Sequence, residues 1–459
     1  MNRKSVFFSI VALAWPTILE QAMQTAVSYI DYAMVGKVGT AAIAAVGVTG
    51  TVTWLVNSPL WAFATGFLAC IARDNGAGDA EHARRTAAQA VTVSVAVGAL
   101  MTLIFVGLSP VIPRWMGAET EICRDAAWYF GIVSAPLVFR ALLIVLGGVI
   151  RGVGDTRTPM LVNVGVNLIN IVFNFLLIYP TRQVRIFGHA FTMWGANLGV
   201  TGAAIATAIA FVFGGVAMVA VLLRHKGISP RGCAFRPDAA ILKPCMRITV
   251  PNVLQRTIVC LGQVTFSSMV NSLGTVAVTA HSTAITAESA FYIPGFGVQA
   301  AAAALVGNAY GAKDKKRMRE LTRMLLMIVF FLMVITGTAL FFCAEGVMGL
   351  FTNDPQVITL GAKVLKMVAV SEPVYGVAII LEGIFHGVGD TLSPFIFEAA
   401  CMWGVRIVGT FVTVKCLHGD LSAAWASMIA HNVVLALMLT IHYFRGKWNP
   451  LNRETTTGE

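Results

Sequence analysis

Charge is what this chain has least of. Asp, Glu, Lys and Arg make up 12% of its 459 residues, against about 25% in a soluble domain, while 57% are hydrophobic. A water-soluble protein of this length could not hide so much apolar surface, so the chain is expected to sit in lipid. Its eight cysteines (Cys70, Cys123, Cys233, Cys245, Cys260, Cys343, Cys401 and Cys416) show neither a C-x-x-C pair nor metal spacing. That argues against a disulfide scaffold or a zinc site, and they read as small apolar packing residues. The eight histidines form no ligand cluster, and no Ser/His/Asp or paired-acid grouping stands out, so an enzyme is not expected. No Walker motif is present, which removes ATP as the energy source, and no basic run is interleaved with aromatics as a nucleic-acid groove requires. The start, Met1-Asn2-Arg3-Lys4 followed by apolar residues, mimics a signal peptide but has no convincing Ala-x-Ala cleavage site. It reads as an uncleaved first helix.

What the chain does have is itself, twice. Pro16 recurs as Pro251, Gly39-Thr40 as Gly274-Thr275, Pro59 as Pro294, Asp79 as Asp314 and Pro159 as Pro394, each 235 residues on. Gly152-Val153-Gly154-Asp155-Thr156 recurs at the same offset as Gly387-Val388-Gly389-Asp390-Thr391. Later the offset falls to 220, where Ala203–Ala206 matches Ala423–Ala426, so the first copy holds 15 extra residues, placed in the loop around Thr181–Trp194. A duplicated, apolar chain reads as two membrane lobes enclosing a central site.

A membrane span needs about 20 mostly apolar residues. Twelve are expected, at 8–35, 43–72, 87–112, 126–150, 159–180, 197–223, 245–271, 276–308, 321–344, 360–386, 394–415 and 421–444. The fold class is therefore an all-α integral membrane protein with twelve transmembrane helices in two six-helix bundles related by pseudo-two-fold symmetry. The expected division is an N-terminal lobe at 1–223, a linker at 224–244 and a C-terminal lobe at 245–459 with a short tail. With the N-terminus inside, 22 Lys and Arg fall on the inner side and 8 on the outer, while Arg140, Arg256 and Arg406 lie within spans. That bias places both termini in the cytoplasm of a multi-pass inner (plasma) membrane protein. The paired Gly-Val-Gly-Asp-Thr segments lack the Gly-Lys-Ser/Thr ending of a nucleotide loop. They are read as tight turns in which glycine supplies positive φ, Asp155 or Asp390 caps, and Pro159 or Pro394 opens the next helix.

Ionisable groups inside the bilayer are costly and mark function. Helix 1 carries Glu20, Gln24, Ser28 and Asp31 along one face, and the fifth span carries Asn163, Asn167, Asn170 and Asn174 along one face. The second copy serves as a control: Asp31 becomes Phe266, Glu20 becomes Gln255, Asn170 becomes Val405 and Asn174 becomes Gly409. The fold does not require polarity at those places. Asp31, Glu20, Asn170 and Asn174 are therefore the ion- or proton-coupling candidates. Gln24, Asn163, Asn167 and the unmatched acids Glu288 and Glu372 are secondary ones. Pro16, which lacks a backbone N–H, is the expected hinge of helix 1. Glu382 is expected to pair with a cytoplasmic arginine, Glu372 before Pro373 to mark a kink, and Glu398 and Arg406 to neutralise each other or a neighbour.

These residues resemble the MATE family, the multidrug and toxic compound extrusion antiporters, over nearly the whole chain. Asp31-Tyr32-Ala33-Met34-Val35-Gly36 is similar to a D-x-x-x-x-G ending of helix 1. Pro294-Gly295-Phe296-Gly297 and Val306-Gly307-Asn308-Ala309-Tyr310-Gly311-Ala312 resemble P-G-x-G and V-G-x-x-x-G-A. Arg151-Gly152-Val153-Gly154-Asp155-Thr156 resembles R-G-x-G-D-T. The resemblance implies export of small organic, often cationic, compounds against a proton or sodium gradient. No cofactor is implied, beyond Na⁺ as a possible coupling ion. One branch of the family has an essential acid on helix 1, matched by Asp31, and an N-x-x-x-D pair on helix 5, matched by Asn170 and Asn174 with Asn in the second place. Another branch uses acids on helices 7 and 10, where Val259 and Tyr375 stand here. The expected mechanism is exchange at a carboxyl at the lobe interface, where a proton and a cationic substrate exclude each other. The alternative is a lipid-linked precursor flippase of the same superfamily. That reading asks for several cations around one cavity.

Overall fold

The computed structural model describes residues 3–116, 120–186, 189–446, 448–449 and 451–452. Lys447 and Arg453, counted above among the inner cations, and most of the expected tail lie outside the described residues. The side chains of Arg3, Lys4 and Arg185 also lie outside the described part of the structure.

The chain folds into long helices: α1 (Arg3–Gly36), α2 (Thr40–Ala77), α3 (Ala80–Leu108), a short α4 (Ile112–Trp115), α5 (Thr120–Ser134), α6 (Leu137–Gly152), α7 (Arg157–Leu177) and α8 (Gly199–Arg224). The second half continues with α9 (Ala239–Asn271), α10 (Thr275–Gly311), α11 (Lys315–Gly349), α12 (Pro355–Val388) and α13 (Leu392–Ala400). After α13 the helix widens into π-helical turns at Cys401–Ile407 and Phe411–Cys416 around a short α14 (Val408–Thr410), before α15 (Leu421–Arg445). Ten of these segments are long and apolar enough to cross a bilayer, and the bent pair α5–α6 makes an eleventh. The twelfth, α9, has 33 residues but carries Lys243, Arg247, Asn252, Gln255 and Arg256, which lower its apolar character without shortening it. Twelve spans in two bundles of six result.

The expected single span at 126–150 is two helices that meet at 49°. Pro136 explains the break: it has no N–H to donate to the turn before it and opens α6 as its cap. Pro373, by contrast, lies inside α12, which runs without a break from Pro355 to Val388. The 15 extra residues of the first copy are a two-stranded antiparallel hairpin, β1 (Pro180–Ile186) with β2 (His189–Ala196), an addition to the all-α plan. It sits at one end of the molecule, the hairpin face. The connection between the halves marks the opposite, linker face. That connection is shorter than expected, because Asp238 caps α9 and starts it at Ala239. It lies along α3, where Arg84 donates to the carbonyls of Ser229 and Arg231 and Gln89 donates to that of Arg236.

The duplication is visible in local geometry. Asp79 and Asp314 accept the N–H groups of His82 and Arg317, both at 2.9 Å. Gly154 and Gly389 hold φ of 87° and 86°, and Asp155 and Asp390 accept the N–H groups of Thr158 and Ser393. The repeated turns are therefore capped as their sequence indicates.

The two bundles meet through α1 on α10 and α2 on α9, contacts that the repeat exchanges. At the linker face the backbones nearly touch. A Cβ on Gly76 would come within 2.0 Å of Asn308 O, and one on Gly311 within 2.0 Å of Arg73 O. Gly311 is the repeat partner of Gly76, and Asn308 that of Arg73, so one contact is the other turned about a two-fold axis. Asn75 Nδ2 also donates to Asn308 Oδ1 at 2.6 Å, and Thr17 Oγ1 to Gly297 O at 2.9 Å. Toward the hairpin face the cross-lobe link is looser: Tyr29 Oη to Thr286 O, at 3.4 Å and exposed. The closest backbone approaches between the lobes are therefore at the linker face.

Candidate functional site

The polar stripe of α1 divides into two clusters. Asp31, half-buried near the hairpin end, meets the end of the asparagine row: Asn174 Nδ2 donates to Asp31 Oδ1 at 2.6 Å and shares a 3.2 Å contact with Asn170 Oδ1. With its amide turned, Asn170 also donates to Asp31, at 2.9 Å, and accepts from Thr207 Oγ1 of α8 at 3.2 Å. The site is thus built by α1, α7 and α8, all of the first bundle. This corrects the expectation of a carboxyl at the lobe interface. Tyr29, two residues earlier and some 200° around the helix, faces the second bundle, so Asp31 faces into its own. The carbonyl oxygen of Asn174 is buried without a partner. A carboxylate, an orphan amide oxygen and a hydroxyl are oxygen donors suited to a small hard cation or to water.

Glu20 takes a different part. Arg151 Nη2 donates to both of its carboxylate oxygens, at 2.7 and 2.8 Å, and Asn163 Nδ2 donates to Oε1 at 2.9 Å. Both charged groups are buried. Arg151, one of the 22 cations on the expected inner side, neutralises Glu20 and is not free in a loop. A sequence signal existed: 235 residues on, Glu20, Arg151 and Asn163 become Gln255, His386 and Glu398, so all three change together. Asn167 is buried on the same α7 face, and Gln24 is half-buried between the two clusters. α1 is continuous through Pro16, and the Thr17 hydroxyl beside it bridges the lobes.

In the second bundle Glu382 accepts from Gln255 Nε2 at 2.8 Å and Gln299 Nε2 at 3.2 Å, not from a cytoplasmic arginine as expected. Glu398 lies 3.5 Å from His431 Nε2. Arg406 stacks on Phe266, its Cζ 4.3 Å from the ring centre, and makes no ion pair within 4 Å among the described residues. Glu288 and Glu372 are both buried, and neither carboxylate oxygen of Glu372 has a hydrogen-bond partner. Among the described residues no three His, Cys, Asp or Glu side chains are grouped to hold a metal ion.

The profile of the MatE family matches residues 16–176 and 251–412, one stretch in each bundle. The chain belongs to the MatE family. This MATE transporter is 26% identical over 439 residues to a probable multidrug resistance protein NorM of Thermotoga maritima, covering 96% of this chain and 92% of that protein. It is 23% identical to the uncharacterized transporter YisQ of Bacillus subtilis, covering 94% and 93%. Its fold is similar to that of a MOP superfamily transporter from Pyrococcus furiosus, with a TM-score of 0.88, 23% identity and 97% of each chain covered. It is also similar to a multidrug resistance MATE family transporter captured in an outward-facing conformation, with a TM-score of 0.88, 22% identity, and 97% and 96% covered. The two-bundle architecture of this MATE protein is the one those structures share.

Proposed function

We propose that this MATE transporter is a secondary antiporter that exports small organic, mostly cationic, compounds in exchange for H⁺ or Na⁺ by alternating access. It would work as two lobes, 1–223 and 245–459, joined by 224–244, in the inner membrane with both termini cytoplasmic. Asp31 carries the reading. It is an acid in a membrane span that no arginine or lysine neutralises within 4 Å among the described residues, and two asparagine amides hold it. Such a carboxyl holds a proton, a metal cation or a cationic substrate, one at a time, because each satisfies the same single negative charge. Uptake of the coupling ion from outside displaces the substrate, and loss of the ion inside restores the site. Pro16 is the proposed hinge of α1, since the helix lacks one backbone donor there. The names of the relatives, as probable multidrug resistance proteins, support the same substrate class.

The flippase alternative is less well supported. Arg140 stands over Phe211 in the first bundle and Arg406 over Phe266 in the second, so the intramembrane cations do not surround one cavity.

Ethidium efflux from cells expressing the protein, with and without a protonophore and with and without sodium, tests the reading. Efflux should collapse with loss of one of the two gradients, and Asp31→Asn should abolish it while the protein stays in the membrane. Unchanged efflux in Asp31→Asn would falsify the exchange at this acid.

A further inference from the structure

α3 and α11 are the same helix in the two copies, yet their surfaces at the linker face differ. α3 is covered there by the connection between the halves. Arg84 donates to the carbonyls of Ser229 and Arg231, and Thr92 donates to that of Phe235 at 2.8 Å. Ala88 between them is fully buried, and Glu81 is paired with Arg85. On α11, 235 residues on, Glu81, Arg84, Ala88 and Thr92 become Lys316, Arg319, Arg323 and Met327, and all four are exposed. Among the described residues no acid stands within 4 Å of the three cations, not even Glu320 beside them. Of the chain after α15, Trp448 and Leu451 are buried in one cluster with Met318, Leu321 and Leu325, which lie on the other side of α11.

At 100° per residue the three cations fall within about 60° of one another, and at 1.5 Å per residue they span about 10 Å. Met327, Phe330, Phe331, Val334 and Phe341, all exposed, continue the same face along the helix. α11 has 35 residues where about 20 cross the hydrocarbon, so its first turns stand at headgroup depth on the linker face. An excess of cations at span ends sets orientation, but it does not ask for three on one bare face, and the first copy does without them. Cations above an apolar stripe complement a lipid whose headgroup is anionic and whose chains lie along the aromatic side chains.

We infer that Lys316, Arg319 and Arg323 form a binding site for the phosphate of an acidic phospholipid in the leaflet at the linker face. The two guanidinium groups would grip phosphate oxygens through paired N–H···O bonds, and Lys316 would add a point charge.

Native mass spectrometry of the purified protein, titrated with dioleoyl phosphatidylglycerol or dioleoyl phosphatidylcholine, tests it. Phosphatidylglycerol should bind on the order of a hundredfold more tightly, since each cation facing an anionic headgroup is worth about fivefold. In Lys316→Gln/Arg319→Gln/Arg323→Gln that preference should vanish, and Arg323→Ala, which restores the residue of the first copy, should lower it about fivefold. Lys226→Gln/Arg231→Gln/Arg236→Gln removes the same charge from the connection on the same face and should leave it unchanged. Equal binding of the two lipids to the wild type, or equal losses in the two triple variants, would overturn the inference. So would a preference that appears only in protein cut after Asn452, which would assign the α11 face to the residues beyond it.

Discussion

Asn174 gives its amide to Asp31 at 2.6 Å while its own carbonyl oxygen stays buried without a partner. One side chain thus holds the Asp31 carboxyl in place and presents an unused acceptor beside it. Asn174→Ala removes both. Transport should fall about tenfold, the worth of a hydrogen bond to a charged group. Membrane abundance should stay near that of the wild type, since Gly409 fills the same place in the second copy. Efflux rate normalised to protein level measures this, and full activity in Asn174→Ala would show that Asp31 works without its orienting partner.

The Glu20–Arg151 pair predicts a stability effect, not a transport one. Arg151→Leu leaves a buried carboxylate held only by Asn163 and should cost about 3–5 kcal/mol. Removing both charges in Glu20→Gln/Arg151→Leu should recover much of that loss, because no orphan charge remains. Thermal unfolding in detergent distinguishes the two variants. Equal melting temperatures for the single and double variants would mean that the pair is not a closed unit.

Gly76 sits where the lobes come closest. A methyl group there would fall 2.0 Å from the Asn308 carbonyl oxygen, a backbone atom that cannot swing aside. Gly76→Ala should therefore prise the seam open at the linker face. A cysteine placed at the fully buried Ala72, in protein otherwise free of cysteine, should become open to a water-soluble thiol reagent in Gly76→Ala. If labelling does not rise, the seam relaxes in some other way.

Cys70 of α2 and Cys245 of α9 are both buried in one apolar cluster where the two lobes meet. Oxidation with copper phenanthroline and air, which removes two electrons and two protons from the pair, should join the lobes. If alternating access opens this face, efflux should stop and return on reduction with dithiothreitol. Cys70→Ala should be indifferent to the oxidant. A cross-linked protein that still transports would mean that the linker face need not open.

Much of the architecture was legible in the residues. Twelve apolar stretches, a 235-residue repeat, capped turns and the two polar faces follow from period and composition. These are local properties, set by backbone hydrogen bonding and by the need to keep polar groups from lipid. The break at Pro136 was written there too, but an apolar run on both sides of it concealed the change of direction.

What only the tertiary structure decided is which faces meet. Spacing puts Glu20 and Asp31 on one stripe, yet packing gives Glu20 to Arg151 and Asp31 to the asparagines of α7. A helical period fixes the angle between two residues on one helix, not the direction in which that helix is turned against its neighbours. That direction comes from close packing of whole bundles, in which contacts such as Glu20 with Arg151, 131 residues apart, form only once the helices have assembled.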